Sequence, residues 1–166
     1  MGNTIWSIER GRGPIVATAI HDGHEVRDEV ARHMVLDDAV RLREEDPYTG
    51  EWTPIAPTRV VGSRSRFEVD LNRPRDKAVY RTPDDSWGLE VWKGSLPEDL
   101  VTRSLERYDA FYMAMERLYR SLVDRYGRVL VLDLHTYNHR RAGRGGAPAD
   151  PIANPPGNVG TGPMVN

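Results

Sequence analysis

The chain has 166 residues, 39% hydrophobic and 29% charged, which fits one globular domain with its own core and argues against disorder. Its 23 basic and 25 acidic side chains leave a formal charge of −2, so the basic excess of a nucleic-acid-binding protein is missing. No run approaches the roughly 18 apolar residues of a membrane helix. With no cysteine, the chain has neither disulfides, nor thiolate metal sites, nor a cysteine nucleophile, and any metal must be held by imidazole and carboxylate. The opening "MGNTIWSIERGRG" has charges and glycines where a signal peptide needs an apolar core, and Trp6 breaks a myristoylation pattern; a cytoplasmic location is expected.

The first clear element is "PIVATAIH", Pro14 to His21, a short buried strand closed by the polar "HDGHE". From Val26 to about Glu45 the text favours helix, and "DPYTG" ends it with Pro47 and Gly50. The stretch from Pro54 to Pro74 is extended and loop-like; within it Phe67, Val69 and Leu71 alternate with Glu68, Asp70 and Asn72, as in a half-buried strand. "SLPE" predicts a helix start, with Ser95 as N-cap, Pro97 in the first turn and Glu98 completing a capping box. Leu105, Tyr108, Phe111, Tyr112, Met115, Leu118, Tyr119, Leu122 and Tyr126 then form one apolar helix face, and Gly127 stands at the C-terminal cap. The stripe reads as core packing. "RVLVLDLH" follows, an apolar run of strand length ending at His135 and suited to a central, largely parallel strand. Beyond His139 glycine and proline dominate without apolar period, so about 140–166 read as loop. No internal repeat is visible.

Two strands thus end in histidine, His21 and His135. In open α/β sheets ligands bind beyond the carboxyl ends of parallel strands, so both side chains can emerge on one rim. His24 lies three residues after His21 across a turn that Gly23 eases, and two imidazoles at that offset can converge on one ion. Three nitrogen ligands with an open position make a catalytic zinc arrangement. Asp22, Glu25 and Asp133 are close enough in sequence to accept from imidazole N–H groups. Polar strand caps are the competing reading. His33 falls in a charged, solvated stretch, and His139 suits either the site or solvent.

"SRFEVDLNRP" crowds Arg66, Asp70, Asn72 and Arg73 together. Arginine holds a carboxylate bidentately and keeps its charge, and Asn72 can both donate and accept, so an acidic substrate would find partners here. An exposed edge strand with solvated charges is the alternative.

Taken in order, "PIVATAIHDGHEVR", "RLREEDPYTGEW", "VVGSRSRFEVDLNRPRDKAVY", "GLEVWKG", "VLVLDLHTYNHRR" and "NVGTG" resemble the N-formylglutamate amidohydrolase family, itself similar to the zinc carboxypeptidase and aspartoacylase hydrolases. The resemblance covers nearly the whole chain. It implies an α/β fold, a three-layer, zinc carboxypeptidase-like mixed sheet flanked by helices, in a single domain over 1–166 that is incomplete at its C-terminus. It implies zinc or another first-row divalent metal on His21, His24 and His135, with His24 standing where the hydrolase pair has Glu. Asn72 and Arg73 match the segment that holds the substrate carboxylate, and Arg66 is placed to polarise the scissile carbonyl. The base of the relatives would lie downstream of the chain's end, so Glu25, or an acid of "REEDP" (Glu44, Glu45, Asp46), is expected to substitute. The activity implied is cleavage of an N-acyl acidic amino acid, N-formylglutamate above all. The alternatives are a catalytically incomplete fragment or non-enzymatic binder of metal or acidic ligand, and a peptide or cell-wall amidase. The expected partner is a small acidic substrate, with neither nucleic acid nor membrane; oligomeric state is left open.

Overall fold

The structure, a computed structural model, describes residues 4–136. His139, the "NVGTG" segment and the loop-like 140–166 lie outside the described residues. Four strands form one mixed sheet in the order β1-β3-β2-β4: β1 (Trp6–Glu9), β2 (Ile15–Ala19), β3 (Thr58–Gly62) and β4 (Leu130–Asp133). β1 runs antiparallel to β3, while β2 runs parallel to both β3 and β4. Strand β1, for which the sequence offered no signal, pairs Glu9 with Arg59 both in register and as an ion pair of 2.6 Å. No helix among the described residues is long and apolar enough to cross a membrane.

The long helix α3 (Glu98–Tyr126) buries the expected stripe: Tyr108, Phe111, Met115, Leu118 and Leu122 join Val16, Ile20, Val60, Val69 and Leu71 in one core cluster. Val16 and Ile20 lie an even number of residues apart and therefore share one face of the β2 segment, the face that α3 covers. Gly127, in the left-handed conformation at φ 73°, ends the helix as its cap. A second cluster, built on Val30, Phe67, Tyr80, Trp92 and Leu100, packs the loop-rich half against the start of α3.

Four expectations are corrected. The helix starts at Glu98 behind an extended Pro97, and Ser95 caps nothing; Glu98 pairs instead with Arg81 at 2.7 Å, which draws its carboxylate away from the box. The helical text from Val26 to Glu45 forms two short pieces, α1 (Asp28–Ala31) and α2 (Asp38–Glu44), because Met34 bridges to Trp92 and Asp37 then caps a new helix through Val40 N–H. Residues 67–71 are not a half-buried strand. They wind through a turn in which Phe67, Glu68, Val69, Asp70 and Leu71 are all at most 1% exposed. The alternation is real but both sides are buried: Val69 and Leu71 meet α3, while Glu68 and Asp70 turn to ionic partners. Last, β4 is the outer strand among the described residues, with Leu130 54% exposed, because an apolar run specifies burial tendency and not the number of paired neighbours.

Gly23 fixes how the loop after β2 meets the loop after β3. A Cβ there would lie 2.1 Å from the carbonyl carbon of Ser63, so no side chain fits between the two backbones. The approach is held by Glu25 N–H donating to Ser63 O (3.1 Å) and Ser65 N–H donating to Glu25 O (2.8 Å). Gly23→Ala is expected to lower stability by about 1–3 kcal/mol through overpacking, read as a shift in the urea midpoint.

Candidate active site

Parallel pairing brings the strand-end histidines together. Thr18 of β2 sits opposite Asp133 of β4, and Leu134 N–H continues the ladder to Thr18 O at 2.8 Å. His21 and His135 therefore leave the sheet at the same rim, with ring centroids 5.1 Å apart. The third member is Asp46. Its N–H donates to His21 O (3.0 Å), anchoring the end of α2 to the end of β2. Glu45 is extended (φ −78°, ψ 174°), so the side chains on either side of that peptide point opposite ways. Asp46 turns to the histidines and Glu45 to His24.

Asp46 Oδ2 lies 2.7 Å from His135 Nδ1 and 3.3 Å from His21 Nδ1, and Thr136 donates to Asp46 Oδ1 at 2.8 Å. Among the described residues, His21, Asp46 and His135 form the group that could hold a metal, each offering one ligand atom within 4.8 Å of the others. Burial works to raise the pKa of Asp46, but its bonds to His135 and Thr136 win and hold it below the usual carboxylate range. For His135, burial works to lower the pKa; Asp133 (3.0 Å from Nε2) and Asp46 overcome it and push the imidazole up to about 9.

The residues fit a cation. His21 is 1% exposed, and its Nε2 lies 2.7 Å from Asp70 Oδ1. An ionised Asp70 can only accept, so a proton sits on Nε2, and Nδ1 is the ring nitrogen left for a cation. That Nδ1 is buried without a hydrogen-bond partner, and it faces Asp46. An imidazole lone pair beside an ionised carboxylate and a second imidazole is a nitrogen–oxygen donor set suited to zinc and other first-row ions.

Asp70 also organises the basic side. Its Oδ2 accepts from Arg66 (2.9 Å) and from the Tyr80 hydroxyl, and Asn72 N–H donates to Oδ1 at 2.9 Å. Burial pushes Asp70 up in pKa; His21, Arg66 and the Tyr80 hydroxyl pull it well below the carboxylate range. Burial and the charge of Asp70 raise Tyr80, which stays a protonated donor. Arg66 gives a further donor to Glu44 O at 3.5 Å. Arg73 is held more loosely, 3.8 Å from Asp70 Oδ2 and 3.4 Å from Asp85 O, with its side chain 37% exposed.

Of the residues singled out by sequence, His21, His135, Arg66 and Arg73 thus lie around one Asp46–Asp70 frame, while His24 and Glu25 stand outside the three-residue group. His24 Nδ1 bonds Glu45, and its Nε2 meets Arg41 at 3.1 Å, so both ring nitrogens are engaged. The Glu25 backbone pairs with Ser63 and Ser65, and the residue is exposed. Asn72 is exposed beside Arg73. Of the expected imidazole acceptors, Asp133 takes His135, whereas Asp22 accepts from Gly50 N–H at 2.9 Å. Sequence reasoning named Asp46 only as a substitute base and missed Tyr80. An acid just before the proline that follows α2 was the available signal for Asp46; nothing local marks Tyr80.

Comparison with known proteins decides the family. The family model of N-formylglutamate amidohydrolase matches residues 13–162. The chain belongs to that family. Among solved structures, an N-formylglutamate amidohydrolase from Ralstonia eutropha JMP134 is similar at 17% identity and a TM-score of 0.66, with 81% of this chain and 57% of that one covered. A gene product of Agrobacterium tumefaciens is similar at 17% identity and a TM-score of 0.62, with 86% and 60% covered. At such identity these structures show a shared α/β fold, and the chain spans less than two thirds of either. No curated protein sequence matches.

Asp70→Asn is expected to cost about 3–5 kcal/mol, since it leaves the Arg66 charge unpaired in a buried setting. It is also expected to weaken metal binding about 10–100-fold by releasing the His21 tautomer. Denaturant melts and a metal titration of the variant read the two effects separately; metal affinity equal to wild type would contradict the tautomer argument.

Proposed function

We propose that this chain carries the metal and substrate-binding half-site of an N-formylglutamate amidohydrolase. The reaction adds water across the formyl C–N bond, releasing formate and glutamate. The observation that carries the reading is the orphaned, buried Nδ1 of His21 facing Asp46 and His135, one carboxylate away from two arginines. Family membership supports the substrate.

In this reading His21, Asp46 and His135 hold a divalent ion, with zinc the first choice for a set rich in imidazole. When bound, such an ion supplies Lewis acidity and lowers the pKa of water to about 7. The chain's residues do the rest. Asp70 and Asp133 fix the two imidazole rings by accepting from Nε2 of each. Arg66 keeps its charge at every accessible pH, its pKa raised as the pull of Asp70 and Tyr80 overcomes burial, and contributes a permanent positive field against the oxyanion that develops on the formyl group. Arg73, with donors not saturated by protein, receives a substrate carboxylate, and Asn72 adjoins it. His24 shapes the rim through Glu45 and Arg41 and is not a ligand in this assignment. Glu25 is exposed and is kept as a candidate substitute for the base that the relatives carry downstream.

The test combines elemental analysis with formate release from N-formylglutamate. Wild-type protein is expected to retain about one metal per chain. His21→Ala and Asp46→Ala are expected to lose both metal and turnover, while His24→Ala keeps the metal. Full metal occupancy in His21→Ala, or metal loss confined to His24→Ala, would refute the ligand set.

A further inference from the structure

Trp87 lies outside every segment assigned to the site so far, and three observations mark it. Its backbone is left-handed (φ 56°, ψ 31°), a conformation that favours glycine and asparagine over a bulky aromatic residue. The turn that imposes this is built firmly: Thr82 and Asp85 form a reciprocal capping box, Gly88 N–H donates to Pro83 O at 2.8 Å, and the Ser86 hydroxyl donates to Leu89 O at 2.8 Å. The indole thus presented is 38% exposed and stands edge-on to the buried Tyr80 ring, with centroids 6.1 Å apart. Both site arginines meet its face, Arg66 at 4.8 Å and Arg73 at 5.8 Å from the ring centroid.

For Arg66 the indole is one restraint among several, since Asp70, Tyr80 and Glu44 O already fix the guanidinium. Arg73 differs. Its polar contacts are long, and the faces of Trp87 and of Tyr80, the latter 6.0 Å away, flank its guanidinium. Aromatic faces restrain a guanidinium without consuming its N–H donors. An arginine held this way keeps its donors for an incoming carboxylate, whereas one held by a carboxylate does not.

We propose that Trp87 is a positioning residue for substrate recognition: it holds Arg73, with Arg66 behind it, in the pose that receives the carboxylate of an acidic amino acid. This rests on the amidohydrolase reading for the identity of the ligand, though the positioning itself does not require turnover. The strain at Trp87 is then the cost of presenting a large ring from a turn whose backbone would suit a smaller residue.

The experiment compares wild type with Trp87→Phe, Trp87→Leu and Trp87→Asn, the last chosen because asparagine tolerates the left-handed backbone. Glutamate binding is measured by calorimetry on the metal-loaded protein, with KM and kcat for N-formylglutamate alongside. Trp87→Leu and Trp87→Asn are expected to bind glutamate about tenfold more weakly and raise KM to match, with metal content kept, and Trp87→Phe to recover to within about threefold. Trp87→Asn should keep its melting temperature while losing affinity, which separates positioning from support of the fold. Glutamate that binds all four proteins equally, or does not bind wild type, overturns the proposal. Trp87-dependent glutamate binding without hydrolysis upholds the proposal and removes the hydrolase reading instead.

Discussion

The carboxylate of Asp70 is the constraint on which the candidate site depends. It is fully buried, and its two oxygens face different tasks: Oδ1 takes the Nε2–H of His21, Oδ2 takes Arg66 and the Tyr80 hydroxyl. An uncompensated charge at such depth would be far too costly to keep, so the arginine and the hydroxyl are conditions for its ionisation. Once ionised, it can only accept hydrogen bonds, and that fixes the imidazole proton on the side away from the rim. One buried charge therefore orients both the His21 ring and the basic wall. The same reasoning explains why the segment 66–73 is a turn and not a strand: a strand would send Asp70 and the apolar Val69 to opposite faces of a sheet, whereas here both are enclosed.

The rest of the fold serves to bring three distant segments to that carboxylate. Helix α3 covers the sheet and pins the 71–73 turn from outside, with the hydroxyls of Tyr112 and Tyr108 donating to Leu71 O (2.7 Å) and Arg73 O (2.8 Å). Gly23 lets the loops after β2 and β3 run side by side, and the end of α2 bonds to His21 through its backbone. These are contacts between backbone and hydroxyl groups or between backbones, which restrict position without adding charge to an already crowded site. The partly buried pairing of Arg27 with Glu68 (2.7 Å) and of Arg27 with Ser104 (2.7 Å) ties the start of α3 to the same turn.

How much of this was legible in the sequence follows from the range of each interaction. The α3 stripe, its glycine cap, the two histidine-ended strands and their shared rim are local patterns, or follow from one topological rule, and they appear as read. The family resemblance rested on spaced motifs over nearly the whole chain and is matched over 13–162. What sequence could not show is which of two neighbouring acids turns inward. Glu45 and Asp46 are equivalent in composition, and only the extended peptide at the end of α2 sends one to His24 and the other to His21 and His135. The H-x-x-H spacing suggested a shared ion, yet His24 finds nearer partners in Glu45 and Arg41. Alternation in 67–71 misled for a similar reason: period two reports two environments, and here the second is an ionic interior and not solvent. Trp87 was invisible because its part depends on a left-handed turn and two arginines more than ten residues away.

The central claim is that the lone pair of His21 Nδ1 faces a cation shared with Asp46 and His135, and the most direct test is anomalous diffraction at the zinc edge from crystals of the zinc-loaded protein. A single strong peak within bonding distance of His21, Asp46 and His135, with His24 still on Glu45, is the result predicted. A peak bonded to His24 and Glu45, or none at the rim where β2 and β4 end, would contradict it.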